Sequence, residues 1–131
     1  MERRSFVKGT AGALAAQGLA FSANSSSRII GANDTIRVAV LGVNGRGTDH
    51  IKGLQPIKNV EITTFVDPDL QVAEKRAGEF EKKFGSRPKI VQDMRKVFED
   101  KDIDAVSIAT PNHLHTLATI WACQAGQAVY V

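Results

Sequence analysis

The 131-residue chain has a single cysteine, Cys123, so no disulfide can close within it. That cysteine lies in an apolar helical stretch, which predicts a buried small hydrophobe rather than a nucleophile. Long apolar runs are also missing. The stretch Gly9 to Phe21 has 13 uncharged residues, short of the roughly 20 that a spanning helix needs, so stable membrane insertion is not expected. Charge of one sign is scarce outside the first residues. Residues 1–34 hold four basic and two acidic side chains, and the 97 that follow hold 13 basic and 12 acidic. With no basic run interleaved with aromatics either, nucleic-acid binding is not expected. Internal repeats and low-complexity blocks are absent after the first residues.

What the chain does have begins with "MERRSFVKGTAGALAAQGLAF", a basic start followed by the uncharged stretch. This is the layout of a signal peptide. "RRSFVK" resembles the twin-arginine export signal, with Glu2 where that pattern usually has Ser or Thr. The expectation is export by the twin-arginine route to the periplasm, a route compatible with a domain that folds and acquires a nucleotide first. Ala20, Ser22 and Ala23 allow several cleavage points, and Ser22 to Thr35 reads as a polar linker. Residues 1–34 are thus expected to be signal and linker, and residues 35–131 the folded domain.

From Thr35 the pattern alternates. "TIRVAVLG" predicts a strand, "GTDHIKGL" a short helix with Ile51 and Leu54 on one face, and "NVEITTFVD" a second strand. Pro68 and Asp69 open a helix to about Phe84, with Leu70, Ala73, Ala77, Phe80 and Phe84 at helical spacing. "PKIVQ" is a third strand, and a helix follows around Met94 to Phe98. "DAVSIAT" is a fourth strand, apolar enough to be buried on both faces. "HLHTLATIWACQAG" is a helix ending at Gly126, and "QAVYV" starts a fifth strand. Such alternation predicts an α/β fold, a doubly wound parallel sheet of the Rossmann type. The chain ends inside its fifth strand, where such a domain normally has a sixth, so it is expected to be the front of a longer protein.

The chemistry sits at strand ends. "VAVLGVNGRGTDH" places Gly42 and Gly47 where a G-x-G-x-x-G loop has its first and third glycines, with Asn44 in the second place and Gly45 after it. Gly42 would supply the tight turn and Gly47 close helix–strand packing, while the start of the helix would attract a pyrophosphate. Arg46 reads as a phosphate partner or as a solvated charge. Asp67 ends the second strand, 25 residues after Gly42, near the spacing of about 20 for the acid that binds the adenosine ribose. The alternative for Asp67 is a helix cap. A carboxylate there repels a 2′-phosphate by ~4 kcal/mol per charge pair at about 4 Å and an effective dielectric of 20, before screening. NAD is therefore favoured over NADP. Thr110, Pro111 and Asn112 close the fourth strand, where ligands of open α/β sheets gather. His113 and His115, two apart on a helix, point in different directions and cannot share a metal, so only one is expected to face the site. His50 is expected to pack on the first helix.

Together "VAVLGVNGRGTDH", "VDPD", "DAVSIATPNHLH" and "AGQAVYV" resemble the Gfo/Idh/MocA oxidoreductases over Thr35 to Val131. The resemblance implies that Gly42, Asn44, Gly45, Arg46 and Gly47 line the pyrophosphate site and that Asp67 binds ribose. It places Thr110, Pro111 and Asn112 along the cofactor near its nicotinamide end, with His115 beside them. It implies an NAD-dependent oxidoreductase acting on a sugar or polyol, homo-oligomeric when full length. In the family, a catalytic lysine in a Glu-Lys-Pro motif follows the fifth strand and a second domain forms the substrate site, so no catalytic residue is assigned within this chain. Two other readings stay open: an NAD-dependent glycosidase of the same family, and a nucleotide-binding module without catalysis. A methyltransferase would share the glycines and the acid but not "TPNHLH".

Overall fold

A computed structural model describes residues 34–131. The expected signal and its cleavage points lie outside the described residues. Five strands and four helices alternate: β1 (Ile36–Leu41), α1 (Arg46–Leu54), β2 (Val60–Val66), α2 (Leu70–Phe84), β3 (Lys89–Val91), α3 (Arg95–Glu99), β4 (Ala105–Ile108), α4 (Asn112–Gln124) and β5 (Ala128–Tyr130). All strand pairs are parallel and the order is β3-β2-β1-β4-β5. This is the doubly wound sheet that the alternation predicts. Strand order reverses between β1 and β4, so helices fall on both faces.

Period-two side chains sort the core onto those faces. Ala39 and Leu41 on β1 face one cluster with Val66, Val106, Ile108, Ala118 and Ala122, beneath α3 and α4. Val40 faces the other, with Ile51, Ile62, Phe65, Ala77 and Phe80, beneath α1 and α2. One irregularity helps. Val38 pairs with Ile62 but Ala39 with Thr64, which leaves Thr63 as an extra residue in β2. Such a bulge reverses the parity of the strand, and so Ile62 and Phe65, three apart, both reach the α1–α2 face. After it Leu41 lies level with Val66 and with Ile108.

One expectation is corrected here. Cys123 is exposed, because the buried stripe of α4 runs through Ala118 and Ala122 and the next residue is turned about 100° away. Leu70 is 48% exposed. It is the first residue of α2, and burial along that helix begins at Ala73.

Candidate functional site

The level ends of β1, β2 and β4 bring three loops to one edge. Gly42 donates to the Val66 carbonyl at 2.7 Å, and Ala109 donates to the Leu41 carbonyl at 2.8 Å. The residues singled out from the sequence, Gly42 to Gly47, Asp67 and Thr110 to Asn112, all start from this edge.

Each glycine of the first loop answers a different demand. Gly42 has φ 82°, and a Cβ there would sit 2.8 Å from the Ala109 carbonyl oxygen. A Cβ on Gly47 would overlap the Gly42 carbonyl, so helix and strand pack backbone to backbone. Gly45 has φ 48°, yet its Cβ would meet nothing within 4 Å. Asn44 is not among the positive-φ residues. The positive φ of this loop falls on Gly45, so an asparagine in the second glycine's place meets no positive-φ demand.

Gly45 is also the N-cap of α1, and no side chain caps that helix. The Gly47 amide donates to the Asn44 carbonyl at 2.9 Å and the Thr48 amide to the Gly45 carbonyl at 3.1 Å, which leaves bonding capacity on the amides of Gly45 and Arg46, where the helix dipole adds partial positive charge. Arg46 is 79% exposed and 3.5 Å from Asp49, a surface pair that leaves the guanidinium able to turn toward an anion.

Asp67 is 9% exposed. Its Oδ2 accepts from the Val43 amide at 3.2 Å and its Oδ1 from the Asp69 amide at 3.0 Å. The carboxylate thus ties the glycine loop to the end of β2 and retains about two of its four acceptor sites. Capping falls to a neighbour: Asp69 accepts from Gln71 and Val72 at the start of α2.

At the end of β4 the Thr110 hydroxyl oxygen is buried without a hydrogen-bond partner. His115 turns back, its Nε2 2.6 Å from the Thr110 carbonyl, while His113 is exposed. One histidine of the pair thus supports the loop. Pro111 and Asn112 are exposed at the start of α4, which also lacks a side-chain cap.

Between these loops lies a cleft of about 590 Å³ that touches Gly42, Val66, Pro68 and Thr110 on one side and Met94 and Arg95 on the other. Arg95 is held there by a bidentate contact to Asp93, which lowers the Asp93 carboxyl to about 2. The α3 residues carry no sequence pattern that announces a site; only the crossover of the sheet brings them to it. A second groove, about 300 Å³ between α1 and α2, is lined by Ile51, Phe80 and Phe84 and borders neither Gly42 nor Thr110.

The edge fits a dinucleotide. Space stands over Gly45, an uncapped helix start can receive the pyrophosphate, a carboxylate can accept from a ribose diol, and an orphaned hydroxyl lies farther along.

Comparison with known proteins gives the same direction. Residues 36–131 match the family described as "Oxidoreductase family, NAD-binding Rossmann fold". An inositol 2-dehydrogenase/D-chiro-inositol 3-dehydrogenase of Shouchella clausii is 28% identical over 97 residues, covering 73% of this chain and 27% of that protein. A glycosyl hydrolase family 109 protein of Shewanella pealeana is 29% identical over 102 residues, covering 75% of this chain and 22% of that protein. Among solved structures, an NAD-binding protein from Listeria innocua superposes with a TM-score of 0.64 at 28% identity, over 73% of this chain and 26% of that one. The chain thus spans under a third of the length of the relatives it matches. Over residues 36–131 it belongs to the Gfo/Idh/MocA oxidoreductase family, in the part that forms the NAD-binding Rossmann fold.

Proposed function

We propose that this chain binds NAD along the carboxyl edge of its sheet, as the front part of an exported oxidoreductase acting on a sugar or polyol. One observation carries the reading: Asp67 and the uncapped start of α1 stand on the same edge, joined by the bond from the Val43 amide to Asp67. Gly42, Asn44, Gly45, Arg46 and Gly47 surround the pyrophosphate. Asp67 accepts from the adenosine ribose, each such bond to a charged acceptor being worth about 1.5–3 kcal/mol, and its charge discriminates against NADP. The adenosine half fills the cleft beside Val66 and Met94. Thr110, Pro111 and Asn112 follow the cofactor toward its nicotinamide end, with His115 holding the Thr110 carbonyl in place. NAD, when bound, supplies a hydride acceptor, and no catalytic residue is assigned among the described residues.

Titration with NAD tests the reading. Ligand at a hundredfold excess over Kd raises stability by about 2.7 kcal/mol, read as a higher Tm. No thermal or fluorescence response at millimolar NAD overturns it.

The glycosidase reading is favoured by one finding, the similarity to the glycosyl hydrolase family 109 protein over 75% of this chain. Such an enzyme returns the hydride within a turnover. In the full-length protein, net NADH formation excludes it, and sugar release without net reduction supports it. A third reading, binding without catalysis, predicts NAD binding with neither product.

Export rests on "RRSFVK". Replacing Arg3 and Arg4 by Lys is expected to hold the protein in the cytoplasm, and unchanged periplasmic recovery would contradict it. A homo-oligomeric full-length protein is expected from the family resemblance, with sedimentation as its test.

A further inference from the structure

The apolar attachment of α1 is thin. Only Gly47 and Ile51 of its nine residues are buried. Thr48 adds a bond from its hydroxyl to the Val43 carbonyl at 3.4 Å. These contacts hold the helix to β1 and β2. A different side chain reaches the other half of the sheet: His50 Nδ1 and Ser107 Oγ on β4 share a hydrogen bond of 2.8 Å. The His50 ring also meets Tyr130 of β5 edge-on, 5.1 Å between centroids.

Ser107 is 1% exposed in an otherwise aliphatic strand. A buried hydroxyl is costly unless paired, and His50 supplies the pair across the reversal of strand order between β1 and β4. Three residues after Ser107 comes Thr110, and five residues before His50 comes Gly45. The bond therefore spans the gap beneath the two loops between which a dinucleotide would lie.

We infer that His50 is a positioning residue: through Ser107 it sets the rotation of α1 over the strand reversal, so that the amides of Gly45 and Arg46 aim at the cofactor's pyrophosphate, which His50 itself does not touch. The inference rests on the NAD reading. Burial lowers the imidazole's pKa, with Arg46 second among the causes, Asp49 opposing and His115 adding to it. The ring is thus neutral at pH 7, and the effect is one of aim rather than of added charge.

The test is NAD affinity measured beside Tm in the full-length protein, for His50→Ala, His50→Asn, Ser107→Ala and the double variant. Removing one aligned contact is expected to weaken NAD about five- to tenfold. The double variant should be no weaker than either single one, and Asn, which keeps a bonding atom near the Nδ1 position, should recover most of the loss. Amide exchange at Gly45 to Gly47 should quicken in the variants without NAD present. If His50→Ala does not fold, Ser107→Ala carries the test, since it removes one oxygen. A lower Tm with NAD affinity within about twofold of wild type overturns the inference and leaves the NAD reading standing. Wild-type protein that fails to bind NAD overturns both.

Discussion

Two helices of the same face begin at the same edge of the sheet and end their first turns differently. Asp69 closes the start of α2, accepting from Gln71 and Val72. Gly45 leaves the start of α1 open, without a side-chain cap. Uncapped amides cost the same in both places, and at α1 the amides of Gly45 and Arg46 are the ones that keep bonding capacity. Around α1 the sequence also gives up side chains where backbone must approach backbone, at Gly42 and Gly47. Around α2 it keeps an ordinary helix with an apolar stripe and a Gly85 stop at φ 76°. On the proposed reading, one start serves the fold and the other receives the ligand.

The comparison breaks most sharply at Gly47. A methyl there overlaps the Gly42 carbonyl, and overpacking of this kind costs about 1–3 kcal/mol or more. Gly47→Ala is expected to lower the denaturant midpoint and abolish NAD binding together. Normal stability would mean that α1 can stand off from the strand.

Asp67→Asn comes next. It leaves the shape but removes the charge and one acceptor, so NAD affinity is expected to fall about 10- to 100-fold, while the preference over NADP narrows. Binding assays with both nucleotides check this. Unchanged discrimination would move the ribose away from Asp67.

Asp69→Ala sharpens the contrast from the other side. Loss of a cap costs about 0.5–2 kcal/mol, so unfolding should come earlier while NAD affinity stays within about twofold. A loss of binding as large as that of Asp67→Asn would erase the distinction between the two helix starts.

The smallest effect is in pH. His50 has a native pKa below 6.5, lowered first by burial, so the unfolded chain takes up protons before the native one. Its contribution to stability is intact above pH 6.5 and is lost as pH falls through the native value. His50→Asn should flatten that slope, and identical slopes by chemical denaturation would assign it elsewhere.

Most of this fold is legible in the sequence because strand and helix periods are local. The run "TIRVAVLG" and the stripe Ala73, Ala77, Phe80 need no partner to be recognised. The places of Gly42, Gly47 and Asp67 follow from chain spacing and agree with the geometry. Facts that depend on which elements become neighbours were not legible. The bond between His50 and Ser107 joins residues 57 apart, the cleft wall at Met94 and Arg95 comes from the crossover to α3, and the extra residue Thr63 shows only in pairing. Cys123 misled because α4 carries apolar residues on both its buried and exposed sides, with Ile120 48% exposed.

The most direct measurement is a backbone amide spectrum of the protein titrated with NAD. The account predicts that Gly45, Arg46 and Gly47 at the start of α1 shift strongly on binding, while Gln71 and Val72 at the start of α2 move little. Strong shifts at α2 with none at α1, or no shifts under saturating NAD, would contradict it.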